Sequence, residues 1–214
     1  MAGIDVDLVL PRGYVPMPLH GLDRAAAAAT ALAASLQPAD ATALRAEIDQ
    51  RADLLAALAA SGVRYCGMGM HMADGEPIVT WLTVWVLETG TPAENPRAML
   101  LALAEGDPEA ASGADVELVT IDGKPMMFRE RITDLPVPEV PGHHDADETA
   151  PVYQLRATVP SDDGAALAAV ELSTAFVSHG PDFRRLVVDI ARSVTFTSTG
   201  DSTAALNIPT RLKL

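Results

Sequence analysis

The chain has 214 residues, with 29 acidic against 15 basic side chains and a formal net charge of −14. Acidity of that size repels phosphate backbones and anionic lipid headgroups, which argues against nucleic acid and membrane surfaces as partners. A single cysteine rules out an internal disulfide, and no apolar run reaches the roughly 18 residues of a membrane span, so a cytoplasmic protein is expected.

In chain order, Ile4, Val6 and Leu8 alternate with Asp5 and Asp7, which predicts a half-buried strand. Arg12-Gly13 turns the chain, and V-P-M-P argues against further ladder pairing. Two helices are predicted next. The first runs from Asp23 to about Leu36 and is ended by Pro38. The second starts at Asp40 or Thr42 and carries Leu44, Ile48, Leu55 and Leu58 at helical spacing, widened by Leu54 and closed by Gly62. Together they form an αα-hairpin insertion over about residues 23–61.

Val63 to Met72 and Pro77 to Glu88 read as strands joined by the turn A-D-G-E. The second is apolar on both faces and is expected inside a sheet, with Trp81 and Trp85 beside Val79 and Leu87. P-R-A-M-L-L-A-L-A-E predicts a short helix ending at Gly106. V-E-L-V-T-I-D-G-K-P-M-M-F-R-E-R-I predicts a hairpin turning at Asp122-Gly123. Residues 134–149 are Pro-rich and acidic and read as a mobile loop. V-Y-Q-L-R-A-T-V-P and A-A-L-A-A-V-E-L-S-T-A-F form another antiparallel pair across S-D-D-G. Gly180-Pro181-Asp182 opens a last helix whose buried stripe is Phe183, Leu186, Val187, Ile190 and Ala191, and S-V-T-F-T-S leaves it. The expected fold is a single α+β domain over 1–199. A twisted, mostly antiparallel sheet of about six or seven strands is covered by the αα-hairpin and the C-terminal helix. Residues 200–214 form a separate tail.

The stretch Y-C-G-M-G-M-H-M at 65–72 raises a question of soft-metal chemistry. Strand alternation puts Cys66, Met68, Met70 and Met72 on one face and Tyr65, Gly67, Gly69 and His71 on the other, with same-face neighbours roughly 6.5–7 Å apart. The sulfurs then read as core filling, and a soft-metal carrier stays as an alternative. Gly67 and Gly69 leave room for a large side chain, a tryptophan among the candidates. His143-His144 with Asp145, Asp147 and Glu148 reads as a solvated loop. His20 and His179 stand alone. No nucleophile elbow, phosphate loop, dinucleotide fingerprint or zinc-protease motif is present, so no catalytic residue, metal site or cofactor is assigned.

The candidate ligand-binding residues are Trp81, Trp85 and His71 with Arg129 and Arg131, or with Arg156. Arg129 and Arg131 share a strand face, and read either as anion contacts or as the charge that protects an edge strand. L-N-I-P-T-R-L-K-L is apolar and basic in an acidic chain. Leu206, Ile208, Pro209, Arg211, Leu212 and Leu214 are therefore the candidate partner-docking residues.

V-E-L-S-T-A-F-V-S-H-G-P-D-F-R-R-L-V-V-D-I-A-R-S-V-T-F resembles the closing strand–helix–strand of the PsbP/Mog-type fold, and the opening strand followed by P-R-G-Y resembles its start. The resemblance covers about residues 1–15 and 150–196 and extends to LpqN-like lipoproteins and secretion-system chaperones. The chain departs from these in lacking a signal peptide and lipobox and in inserting the helical hairpin. The resemblance implies a protein that binds, chaperones or supports other proteins. The leading expectation is thus a non-catalytic adaptor, chaperone or accessory subunit, partnered by a secretion or multi-subunit assembly component, with homo-oligomerisation open. A small-ligand binder or enzyme at the Trp81, Trp85 and His71 face is the alternative.

Overall fold

The computed structural model describes residues 4–22, 27–28, 30–31, 37–90, 92, 95–106, 114–136, 149–198 and 211–213. The order is β1 (Ile4–Val9), β2 (Tyr14–Pro16), α1 (Pro38–Ala60), β3 (Val63–Ala73), β4 (Glu76–Glu88), α2 (Pro96–Glu105), β5 (Asp115–Ile121) and β6 (Lys124–Pro136). Then follow β7 (Thr149–Pro160), β8 (Ala166–Thr174), a 3₁₀ segment (Val177–Phe183), α3 (Arg184–Ser193), β9 (Thr195–Ser198) and β10 (Arg211–Lys213). The fold is α+β. A seven-stranded sheet runs β2-β3-β4-β8-β7-β6-β5, and β10-β1-β9 form a second, three-stranded sheet.

Local chemistry explains the hairpins. Asp74 and Gly75 have φ of 52° and 85°, and Asp122 and Gly123 have 51° and 80°. Two consecutive left-handed residues match the right-handed twist of the flanking strands, and Asp-Gly supplies them at low cost. Helix α2 starts where expected because the Asn95 side chain accepts hydrogen bonds from the Arg97 and Ala98 amides at 3.0 and 3.3 Å.

One face of the large sheet carries the main core. Leu82, Val84, Leu155, Ala157, Val170 and Leu172 pack there under Val187, Ile190 and Ala191 of α3 and under Val6 and Leu8 of β1. The opposite face carries smaller clusters. Leu55 of α1 covers Val63 and Cys66, with Trp81 and Trp85 alongside. Leu100 of α2 packs on Met127 and Leu167. The register slips between Val63 and Tyr65. The bulge at Arg64 is why Val63 and Cys66, of opposite parity, share one cluster.

Several expectations are corrected. The opening and closing strands leave the large sheet and pair with each other, Val6 opposite Phe196. Helix α1 begins at Pro38, which sits in its first turn, where a missing N–H costs nothing. Leu54 is exposed, so the stripe is narrower than the sequence suggests. The first arm of the expected hairpin lies mostly outside the described residues. Tyr14–Pro16 does pair with β3, because it is an edge strand and Pro16 can leave its ring side unpaired. Strand β5 pairs outside β6 from Lys124 to Glu130, so Arg129 does not protect an edge, while Arg131 lies just past the last β5 pairing.

Candidate functional site

The register assembles a polar row on the face of the large sheet opposite the main core. Cys66 stands opposite Thr83, Thr83 opposite Glu171, Glu171 opposite Arg156, and Arg156 opposite Arg129. The next row runs Trp85, Ala169, Thr158 and Met127, and the row on the other side runs Trp81, Ser173, Gln154 and Arg131. The expected residues Trp81, Trp85, Arg129 and Arg131 therefore share one face, and Arg156 joins them.

Arg156 is held firmly. Its Nε and Nη2 donate to Glu171 Oε2 at 2.8 and 2.7 Å, and its guanidinium carbon lies 5.3 Å from the Trp85 ring centroid. Arg131 Nε donates to Gln154 Oε1 at 2.7 Å. A cleft of about 460 Å³ opens over this surface, lined by Trp85, Arg129 and Arg156 with Met127, Ala169 and Leu103. Arg129 loses part of its proton affinity, first through burial and then through the positive charges of Arg156 and Arg131, against which Glu171 works. Like charges directly across a strand pair are unfavourable unless something negative meets them. The cleft is thus a positive, aromatic-floored spot on a chain of charge −14.

His71 does not belong to this site. It stands opposite Ile78, which puts it on the core face, away from Trp81 and Trp85. Its Nε2 lies 3.0 Å from Thr80 Oγ1, which lies 2.9 Å from the Tyr14 hydroxyl. The Phe183 ring meets the imidazole edge-on at 4.9 Å. Burial lowers the pKa of His71, favouring the neutral ring. The proposed pocket of Trp81, Trp85 and His71 is therefore split by the sheet itself.

The alternation does separate the sulfurs from His71, but the expected core filling holds for Cys66 and not for Met70 and Met72, because β3 runs out past the helix that covers its start. Cys66 is 1% exposed, and burial pushes its thiol up to about 11, which disfavours the thiolate needed for nucleophilic attack or soft-metal ligation. Met70 and Met72 are exposed at the far end of β3. Among the described residues no three of His, Cys, Asp and Glu gather as a metal set. The glycine faces are filled by tyrosines rather than a tryptophan. The Tyr65 ring lies over Gly67, and a Cβ on Gly69 would meet Tyr14 Cζ at 2.8 Å and Thr80 Oγ1 at 2.9 Å.

Of the remaining candidates, Arg211 and Leu212 lie in β10, opposite Val9 and Leu8 of β1. Leu206, Ile208, Pro209 and Leu214 lie outside the described residues, as do His143 and His144 with their acidic neighbours. His179 Nδ1 is 3.3 Å from Asp182 Oδ2. Sequence reasoning missed Glu171. The signal was a lone carboxylate in A-A-L-A-A-V-E-L, which an interior strand tolerates only against a cation.

No described helix is long and apolar enough to cross a membrane. No family model and no curated protein matches the sequence. Among solved structures, the chain is similar to the solution structure of cyanobacterial PsbP from Synechocystis sp. PCC 6803. The identity is 13%, the TM-score is 0.40, and 92% of this chain and 94% of that one are covered. A likeness this distant carries no argument about lipoprotein-like or chaperone-like relatives, or about activity.

Proposed function

We propose that the chain is a non-catalytic protein-binding module, an adaptor or accessory subunit whose partner seats in the Trp85–Arg156 cleft. The observation that carries this is the guanidinium fixed at 5.3 Å over a partly buried tryptophan, between Arg129 and apolar walls. Tryptophan and arginine are the side chains that dominate binding energy at protein interfaces, and they do so when packed in a central, partly desolvated spot. Glu171 orients Arg156 before any partner arrives, which reduces the ordering cost of association. The positive charge of the cleft selects an acidic segment with an apolar or aromatic tip.

The test is co-purification of tagged protein from its native host, comparing wild type with Trp85→Ala and Arg156→Ala. The reading predicts a stoichiometric partner with wild type that is lost from both variants while both still unfold cooperatively, with thermal midpoints lowered by only about a few degrees. Retention of the partner by both would overturn it. The cleft volume also suits a small anionic ligand. Native mass spectrometry showing a small molecule, and no protein, released on unfolding would establish that second reading instead. Because Arg211, Leu212 and Lys213 are paired with β1, only Leu206, Ile208 and Pro209 of the tail are proposed as an additional contact, and replacing these three should weaken the complex without abolishing the cleft contact.

A further inference from the structure

Two strands of the chain carry nearly the same pentapeptide. Asp5 to Val9 reads D-V-D-L-V in β1, and Asp115 to Val119 reads D-V-E-L-V in β5. Their surroundings match in kind. In β1, Val6 and Leu8 are buried and Asp5 and Asp7 turn outward. In β5, Val116 and Leu118 pack toward the Leu100 and Met127 cluster, and Asp115 and Glu117 are exposed. They differ in what lies beside them. Strand β1 has a second neighbour, the basic–apolar strand R-L-K of β10, with Lys213 opposite Asp7, Leu212 opposite Leu8 and Arg211 opposite Val9. Strand β5 is the last strand of its sheet, paired with β6 on one side, and no described strand occupies its other edge.

We propose that the free edge of β5 is a strand-addition site for an extended segment of a partner protein in which basic and apolar residues alternate as they do in R-L-K. Backbone hydrogen bonds to a free edge supply affinity without regard to sequence, and the side chains at alternate positions supply the choice of segment. By the β1 register, a basic residue falls opposite Glu117, a second opposite Val119, and an apolar one opposite Leu118. The carboxylates of Asp115 and Glu117 make no ion pair among the described residues, so they are available. The third acid on that side, Glu130, is already taken by Arg184 at 2.7 Å to both oxygens. Beside the acids, Val119, Ile121, Phe128 and Val188 line a groove of about 360 Å³ that receives the apolar stems of the basic side chains. Asp115 and Glu117 stand opposite Glu130 and Phe128, on the face of the sheet away from Arg129 and Met127 of the Trp85 cleft, so the test does not depend on that site.

The probe is a fluorescent synthetic peptide, L-N-I-P-T-R-L-K-L, titrated against the full chain by anisotropy at low salt. The proposal predicts saturable binding that weakens as salt rises. Replacing Asp115 and Glu117 together by Lys turns cross-strand attraction into repulsion and should raise Kd about tenfold or more. Asp7→Lys should leave Kd within about twofold, because exchange onto β1 is not the event measured. Deuterium exchange should slow at the β5 amides when the peptide is present. Four results overturn the proposal: no saturable binding, unchanged binding by the Asp115/Glu117 variant, loss that follows Asp7→Lys instead, or equal binding of a peptide whose Arg and Lys are replaced by Glu. The last arm uses the unaltered chain, so it holds even where a variant folds poorly.

Discussion

Removing the charge of Glu171 probes both the stability and the readiness of the cleft. Glu171 has 11% of its side chain exposed and Arg156 has 34%, and two nitrogens reach one carboxylate oxygen at 2.7–2.8 Å. Glu171→Gln keeps the shape and one acceptor but leaves Arg156 facing Arg129 without a counter-charge. Breaking a fully buried pair by removing one partner costs about 3–5 kcal/mol, and an exposed pair about 0.2–1. With a third of the arginine in water, the expected cost lies between these, at about 1–2 kcal/mol. The assay is urea unfolding of wild type, Glu171→Gln, Arg156→Gln and the double variant. The cycle should return a coupling of about 1 kcal/mol, and Glu171→Gln should be the more destabilising single change, since it strands a cation among cations. A coupling within about 0.3 kcal/mol of zero, or a neutral Glu171→Gln, would refute the reasoning.

Two further outcomes follow from the core face. Gly69→Ala drives a Cβ to 2.8 Å from Tyr14 Cζ and 2.9 Å from Thr80 Oγ1, and Thr80 is fully buried. It should cost about 1–3 kcal/mol in urea unfolding, and a neutral effect would contradict the packing described. His71 has its pKa lowered by burial, with Tyr14, Thr80 and Phe183 around it and none of these a carboxylate. The unfolded chain then binds the proton more readily, so its contribution is fully present above about pH 6.5 and is lost as pH falls through the lower folded value. Urea midpoints between about pH 5 and 7.5 should fall with pH in wild type and be flatter in His71→Gln; equal slopes would exclude this histidine as a source of the dependence.

Where the signal is local, the sequence was informative. Asp-Gly pairs located the turns of the β3–β4 and β5–β6 hairpins, since few other residues accept two left-handed positions. Alternation separated Cys66 from His71 correctly, and the same rule already implied that His71 could not join Trp81 and Trp85. What was illegible depends on pairing between distant segments. Nothing in I-D-V-D-L-V says that it joins Thr195–Ser198 and Arg211–Lys213 instead of the large sheet. The Arg156–Glu171 pair spans two strands whose register only the S-D-D-G connection sets. The bulge at Arg64 has no marker in the sequence, yet it decides that Val63 packs beside Cys66. The outward turn of Leu54 reflects how little of α1 meets the sheet, which apolar spacing alone does not reveal.

The most direct measurement of the central claim is hydrogen–deuterium exchange on the complex isolated from the native host, compared with the free chain. The account predicts slowed exchange in 83–87, 154–158 and 169–171, the segments that build the Trp85–Arg156 cleft, and no such slowing in Trp85→Ala. Protection confined to other segments, or an identical pattern with and without partner across these, would contradict it.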